Sequence, residues 1–144
     1  MNNRTQLSIF VLLAALFLAA AAQAVPVIKL DADGYGKLVL ENGVTVVINQ
    51  DRTTSLSAAR VIIGGGVLSE TPETNGITNL MINLLLKGNA GMTAEQIGDR
   101  IDYLGASVTP GCFNDFAGIS LTALTENFDS ALAILSKMLQ QPAF

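Results

Sequence analysis

The chain has 144 residues, half of them hydrophobic, and a formal net charge of −4, which fits one domain or a piece of one with a packed core. The acidic balance and the lack of a basic patch exclude nucleic acid and anionic lipid headgroups as natural partners. There is no histidine, so the commonest general base and the commonest transition-metal ligand are both missing.

Residues 1–24 have the pattern of a secretory signal: Arg4 near the start, an apolar run from Ile9 to Ala22, and Ala22-Gln23-Ala24 as a small-x-small cleavage site. The run is short for a membrane span, so no stable membrane anchor is expected. Without Arg4 the remaining chain, 25–144, has seven basic residues against twelve acidic, a net −5.

Val25 to Asp33 reads as an extended lead-in. Lys37 to Asn49 reads as a hairpin turning on the dipeptide Asn42-Gly43, a strong signal for a two-residue turn. Leu56 to Leu68 reads as a strand buried on most sides, with Ala58, Ala59, Val61, Ile62 and Ile63. Gly64-Gly65-Gly66 lacks the Lys-Ser/Thr or dinucleotide pattern of a phosphate cradle. These glycines are expected to let the strand bend or pass close to another backbone.

Thr71 to Asn75 has turn chemistry, and nothing in the sequence fixes Glu70 or Glu73 toward the segment after it. Gly76 to Gly88 reads as one helix. Gly88 is expected in the left-handed conformation at its end, Lys87 in its last turn, and Ile77, Leu80, Met81, Leu84 and Leu85 toward a core. Asn79 and Asn83, four apart, share one side of it, with Ile82 beside them.

Thr93 and Gln96 form a capping box for a helix reaching about Leu104, with Ile97, Ile101 and Leu104 as its stripe and Gly105 as its end. Asp99, Arg100 and Asp102 make an exposed face. Ser107–Cys112 and Phe116–Leu124 read as strands joined at Asn114-Asp115. Cys112 has no Cys or His partner and reads as a small core residue. A last helix spans Phe128 to about Gln140, capped by Asn127 or Asp129, with Ala131, Leu132, Leu135, Met138 and Leu139 inward.

Several of these features together resemble the pitrilysin, insulinase and mitochondrial processing peptidase family of zinc peptidases. They are the Asn42-Gly43 hairpin, the frame Gly66, Glu70, Gly76, the exit Leu86-Lys87-Gly88, the acidic Asp115 and the closing Pro142-Ala143-Phe144. That family carries His-x-x-Glu-His on the corresponding helix, two His holding zinc and the Glu activating water. Here the frame reads Asn79-Leu80-Met81-Ile82-Asn83. The resemblance implies an α+β fold, a largely antiparallel sheet with helices packed on one face. It covers nearly all of 25–144 but only the N-terminal portion of the family's first domain, so a truncated domain is expected.

The degenerate positions Asn79, Ile82 and Asn83 imply no catalytic residue, no zinc and no other cofactor, because neutral amides are poor zinc ligands. Some members of the family lack the motif and pair with an active His-x-x-Glu-His subunit around extended peptide substrates. The resemblance implies that role here, in a bacterial periplasm. A zinc metalloendopeptidase and an inactive gene fragment are the alternatives.

Overall fold

The computed structural model describes residues 28–144, so the signal segment 1–24 lies outside the described residues. The chain divides into two compact units, the first ending at Ser55 and the second running from Leu56 to Phe144.

Of the lead-in expected over 25–33, residues 25–27 lie outside the described residues and its end is a turn, closed by Gly34 N–H to Asp31 O, where the Asp31 carboxylate accepts from the N–H groups of Asp33 and Tyr35. Strands β1 (Tyr35–Val39) and β2 (Thr45–Asn49) then pair antiparallel, Val39 opposite Thr45. The hairpin begins two residues before Lys37, and its loop has three residues rather than two. Leu40 N–H donates to Val44 O at 2.8 Å, enclosing Glu41, Asn42 and Gly43. Gly43 takes φ +84°, the left-handed last position that a three-residue loop requires, and Asn42 Oδ1 accepts from Val44 N–H. The Asn-Gly signal located the turn, while the strand register added a residue to it.

The second unit is built on a three-stranded antiparallel sheet in the order β3-β7-β6, where β3 is Leu56–Gly64, β6 is Ser107–Cys112 and β7 is Phe116–Leu124. Strands β6 and β7 have the bounds the sequence predicts. The β3 expectation needs correction: it stops at Gly64, Val67–Ser69 forms a short 3-10 turn, and alternate residues stay exposed along its length. Among the described residues β3 lies at a sheet edge. Its apolar composition therefore reports one half-buried face and one open face, not burial on most sides.

Three helices cover one face of this sheet: α1 (Ile77–Leu84), α2 (Ala94–Tyr103) and α3 (Phe128–Gln140). Beneath them Ala117, Ile119, Leu121 and Ala123, alternate residues of β7, meet Ile82, Leu85, Ile97, Ile101, Leu132, Leu135 and Met138 in the core. Each fully buried large apolar side chain contributes about 1.5–3 kcal/mol. Cys112 lies half-buried rather than in this core, because β6 is the sheet's other edge.

Helix α2 follows its sequence signals closely. Thr93 Oγ1 accepts from Gln96 N–H, and Gln96 Oε1 accepts from Thr93 N–H at 2.9 Å. Gly105, at φ +58°, closes the helix as Ala106 N–H reaches back to Ile101 O and Gly105 N–H to Asp102 O. For α3 the N-cap position falls to Asn127, whose side chain makes no cap bond; its amide donates to Leu104 O and ties the start of α3 to the end of α2.

The exit from α1 differs from the sequence reading. The helix proper ends at Leu84, Leu85–Lys87 tightens into a 3-10 turn, and Gly88 is extended at φ 162°. Gly88 ends the helix by starting a strand. The two-residue strands β4 (Gly88–Asn89) and β5 (Met92–Thr93) pair antiparallel, and Gln141 to Ala143 runs beside β4 through Ala90 N–H to Gln141 O and Ala143 N–H to Gly88 O.

Candidate functional site

The candidate site is helix α1, where the sequence places Asn79, Ile82 and Asn83. Its buried side matches the predicted one only in part: Leu85 is buried and Met81 half-buried as expected, but Ile77 and Leu80 are not inward and Ile82 is. Ile77 is 55% exposed and Leu80 58% exposed, whereas Ile82 is 0% exposed and Leu85 is buried. Thr78, Met81, Ile82 and Leu85 recur at helical spacing and make the inward face, with Thr78 and Met81 half-buried. So many positions are apolar that several stripes fit the sequence equally well, and only the direction of approach to the sheet selects one.

This rotation separates the three degenerate positions. Ile82 points into the core, while Asn79 and Asn83 are exposed together on the outer side. Asn83 Nδ2 donates to Asn79 O at 2.7 Å and to Asn79 Oδ1 at 3.1 Å. Such an amide pair four residues apart is worth about 0.2–0.5 kcal/mol on a helix surface.

Zinc prefers imidazole, thiolate and carboxylate donors. The two amides here have no acidic proton to lose and are turned toward each other, and the side chain between them on the motif frame is an alkyl group. Among the described residues no three Cys, His, Asp or Glu side chains gather into a metal-holding group. The donor set does not fit a zinc ion.

Glu70, which the sequence leaves unfixed, is held against the start of the helix. Its Oε2 accepts from Gly76 N–H at 2.7 Å and its Oε1 from Thr78 N–H at 2.9 Å. The first N–H groups of a helix have no partner within it and carry the positive end of its dipole. One carboxylate takes up two such donors here. The Gly76 N–H, followed by the Thr78 hydroxyl and N–H, holds the Glu70 carboxyl below its ordinary range. The approach between them is set by a 3-10 turn, Pro72–Thr74, with Thr71 and Thr74 in a reciprocal cap. Glu73 makes no such bond to α1; its carboxyl is held low by the Thr71 side chain.

The glycine run feeding this loop serves close approach, as the sequence implies. Gly65 N–H donates to Asp115 O, Val67 N–H to Phe113 O and Leu68 N–H to Asn114 O, so 65–68 is tied to the β6–β7 turn. A Cβ on Gly66 would collide with the backbone of Phe113, Asn114 and Phe116.

A second feature had no sequence signal. Asn89 in β4 is 4% exposed, and neither atom of its side-chain amide has a hydrogen-bond partner among the described residues. A shallow 440 Å³ hollow beside it is lined by Lys87, Met92, Thr93, Gln96 and Ala143, among others. Only the pairing of β4 with β5 and with Gln141–Ala143 encloses this side chain, and that pairing is tertiary.

Chemically, the outer surface of α1 offers two amides and the apolar side chains of Ile77 and Leu80, with no group to activate water.

Comparison with known proteins gives concordant results. The family model described as insulinase (peptidase family M16) matches residues 45–144. An uncharacterized zinc protease of Bacillus subtilis, YmxG, is 30% identical over 104 residues, covering 72% of this chain and 25% of that protein. The mitochondrial-processing peptidase subunit beta of Neurospora crassa is 29% identical over 70% of this chain and 21% of its own length. Among solved structures, a peptidase M16 inactive domain from Pseudomonas fluorescens superposes with a TM-score of 0.70 at 23% identity, covering 76% of this chain and 27% of that one. The fold is thus shared with that domain, and the chain spans about a quarter of the length of the proteins it matches.

Proposed function

This chain belongs to the insulinase family, peptidase family M16, and from that premise we propose that it is an exported, non-catalytic homologue that pairs with an active His-x-x-Glu-His subunit and helps to enclose extended peptide substrates. The observation that carries this reading is the state of the motif frame. Asn79 and Asn83 bond to each other at the surface, and Ile82, where the family's base would stand, is a core residue at 0% exposure. A carboxylate at that depth would be costly to bury unpaired, and an alkyl group there contributes to packing instead. The zinc chemistry of the family is then left to the partner, and this chain supplies a folded wall.

Two findings support the reading. The chain shares its fold with a domain described as an inactive M16 domain. The similar Neurospora chain is by name one subunit of its enzyme. Bacterial export is the expectation from the pattern of segment 1–24, and among the described residues no helix is long and apolar enough to cross a membrane. A zinc metalloendopeptidase is the second reading, favoured by the zinc-protease name of the Bacillus subtilis relative.

A native mass spectrum of the protein taken from its exported fraction tests the proposal. The expected result is a larger complex with a second, zinc-bearing subunit. A lone chain without metal overturns the partner reading. Stoichiometric zinc in the lone chain together with peptide cleavage favours the endopeptidase.

A further inference from the structure

Two Asn-Gly dipeptides occur in the sequence, Asn42-Gly43 and Asn75-Gly76. An Asn before Gly is prone to lose its side-chain amide, because glycine has no Cβ to hinder its own backbone nitrogen. The reaction needs only water. The Gly nitrogen gives up its proton and attacks Asn Cγ. A C–N bond forms, the Cγ–Nδ2 bond breaks, and Nδ2 takes the proton and leaves as ammonia. Water then opens the cyclic imide at either carbonyl, leaving aspartate or isoaspartate. No electrons are transferred.

The two dipeptides are held differently. Gly43 N–H donates to the backbone carbonyl of Leu40 at 2.9 Å. Gly76 N–H donates to Glu70 Oε2 at 2.7 Å. A carboxylate holds an N–H in a stronger, charge-assisted bond. It also opposes loss of that proton, which would set one anion against another. Glu70 is fixed in turn by its second bond, Oε1 to Thr78 N–H at 2.9 Å. The backbone adds to the hold. Asn75 sits at φ −57° and ψ 123°. Ring closure requires the Gly76 nitrogen to eclipse Cβ of Asn75, about a third of a turn of ψ away. That rotation swings the Gly76 N–H off Glu70.

We propose that Asn75-Gly76 is a latent site of imide formation and isoaspartate conversion, held closed by Glu70, and that release of the Glu70 clasp commits the entry of α1 to modification. The modified chain cannot close the same clasp. The imide nitrogen carries no proton for Glu70. Opening the imide restores an N–H, but beside a new carboxylate and, in isoaspartate, on a backbone lengthened by a methylene group. Like charges at this point oppose the original contact. The site lies apart from Asn79, Ile82 and Asn83 and needs neither metal nor partner, so the inference goes beyond the proposed function and stands without it.

The test incubates the full chain in mildly alkaline buffer, folded and in urea. Peptide-mapping mass spectrometry follows both dipeptides, reading the amide-to-acid mass gain and separating isoaspartate. Asn75 is expected to convert about tenfold more slowly in the folded chain than in urea. Glu70→Ala should speed folded-state conversion at Asn75 about tenfold and leave Asn42 unchanged. Leu132→Ala weakens the core without touching the clasp, and should leave Asn75 slow at a temperature where circular dichroism shows it folded. Equal Asn75 rates in the folded and unfolded parent, no acceleration in Glu70→Ala, or the same acceleration in Leu132→Ala overturns the proposal. Slower conversion in Glu70→Ala overturns it too, by making Glu70 the base that draws the Gly76 proton. If Glu70→Ala does not fold, Glu70→Gln carries the test: a smaller acceleration at Asn75, absent from Leu132→Ala, is expected, and none overturns the proposal.

Discussion

The carboxylate of Glu70 crosses eight residues to accept the backbone N–H of Thr78 at 2.9 Å, while its other oxygen holds Gly76 N–H at 2.7 Å. A single side chain therefore sets where α1 begins and anchors the loop before it. Gly76, at φ +92°, turns the chain into the helix, and Ile82 reaches the core one and a half turns later.

Glu70→Gln should lower the melting temperature at neutral pH, because the charged acceptor at the helix start is lost. The sign of the pH dependence follows from the depressed carboxyl. Its contribution is full above the ordinary value of 4.5 and is lost as pH falls through the lower folded value. Thermal melts of the two proteins should differ at pH 7 and converge as the pH falls below the ordinary carboxyl value of 4.5. The variant keeps some acid sensitivity, since Asp51 and Glu73 are also held low by nearby hydroxyl groups. A gap that stays constant down to acid pH would show that the Glu70 charge is irrelevant to the anchor.

Ile82→Ala should destabilise the protein by about 2–5 kcal/mol, as for other buried aliphatic truncations. Leu80→Ala, on the same helix but 58% exposed, should stay within about 0.5 kcal/mol of the parent. Urea unfolding of both variants reads the difference. Equal losses would mean that α1 presents a different face to the sheet.

The glycines of the 64–66 run should respond oppositely to a methyl group. Gly66→Ala forces a Cβ onto the backbone of Phe113, Asn114 and Phe116 and should cost about 1–3 kcal/mol or more. Gly64→Ala meets nothing within 4 Å and should be neutral or stabilising by up to about 1 kcal/mol. Chemical denaturation midpoints decide between them, and a well-tolerated Gly66→Ala would contradict the close packing of 65–68 on the β6–β7 turn.

Local signals in the chain were strong wherever the structure is local. The capping box at Thr93 and Gln96, the Gly105 stop and the bounds of β6, β7 and α3 follow from short-range hydrogen bonding and periodicity. The candidate site was legible in part. The positions Asn79, Ile82 and Asn83 stood out, and the hydrogen bond between the two amides follows from their spacing. The inward face of α1 was legible only at Met81 and Leu85, because Ile77, Leu80, Met81, Ile82, Leu84 and Leu85 leave the sequence with no polar stripe wide enough to orient the helix. Glu70 and Asn89 were also hidden, since one acts through a bond eight residues away and the other is enclosed by a strand more than fifty residues later.

The sequence alone therefore determined the elements and most of their ends, because each depends on groups within a few residues of one another, while the α+β class followed from the resemblance to a known family. It also determined that no imidazole is present for acid–base or metal chemistry. The tertiary structure decided which face of α1 is buried, that β3 lies at a sheet edge among the described residues, and that Glu70 holds the helix start. Those features depend on which surfaces meet in space, and a side chain's exposure is set by its neighbours across the sheet, which hydrophobic periodicity along the chain does not encode.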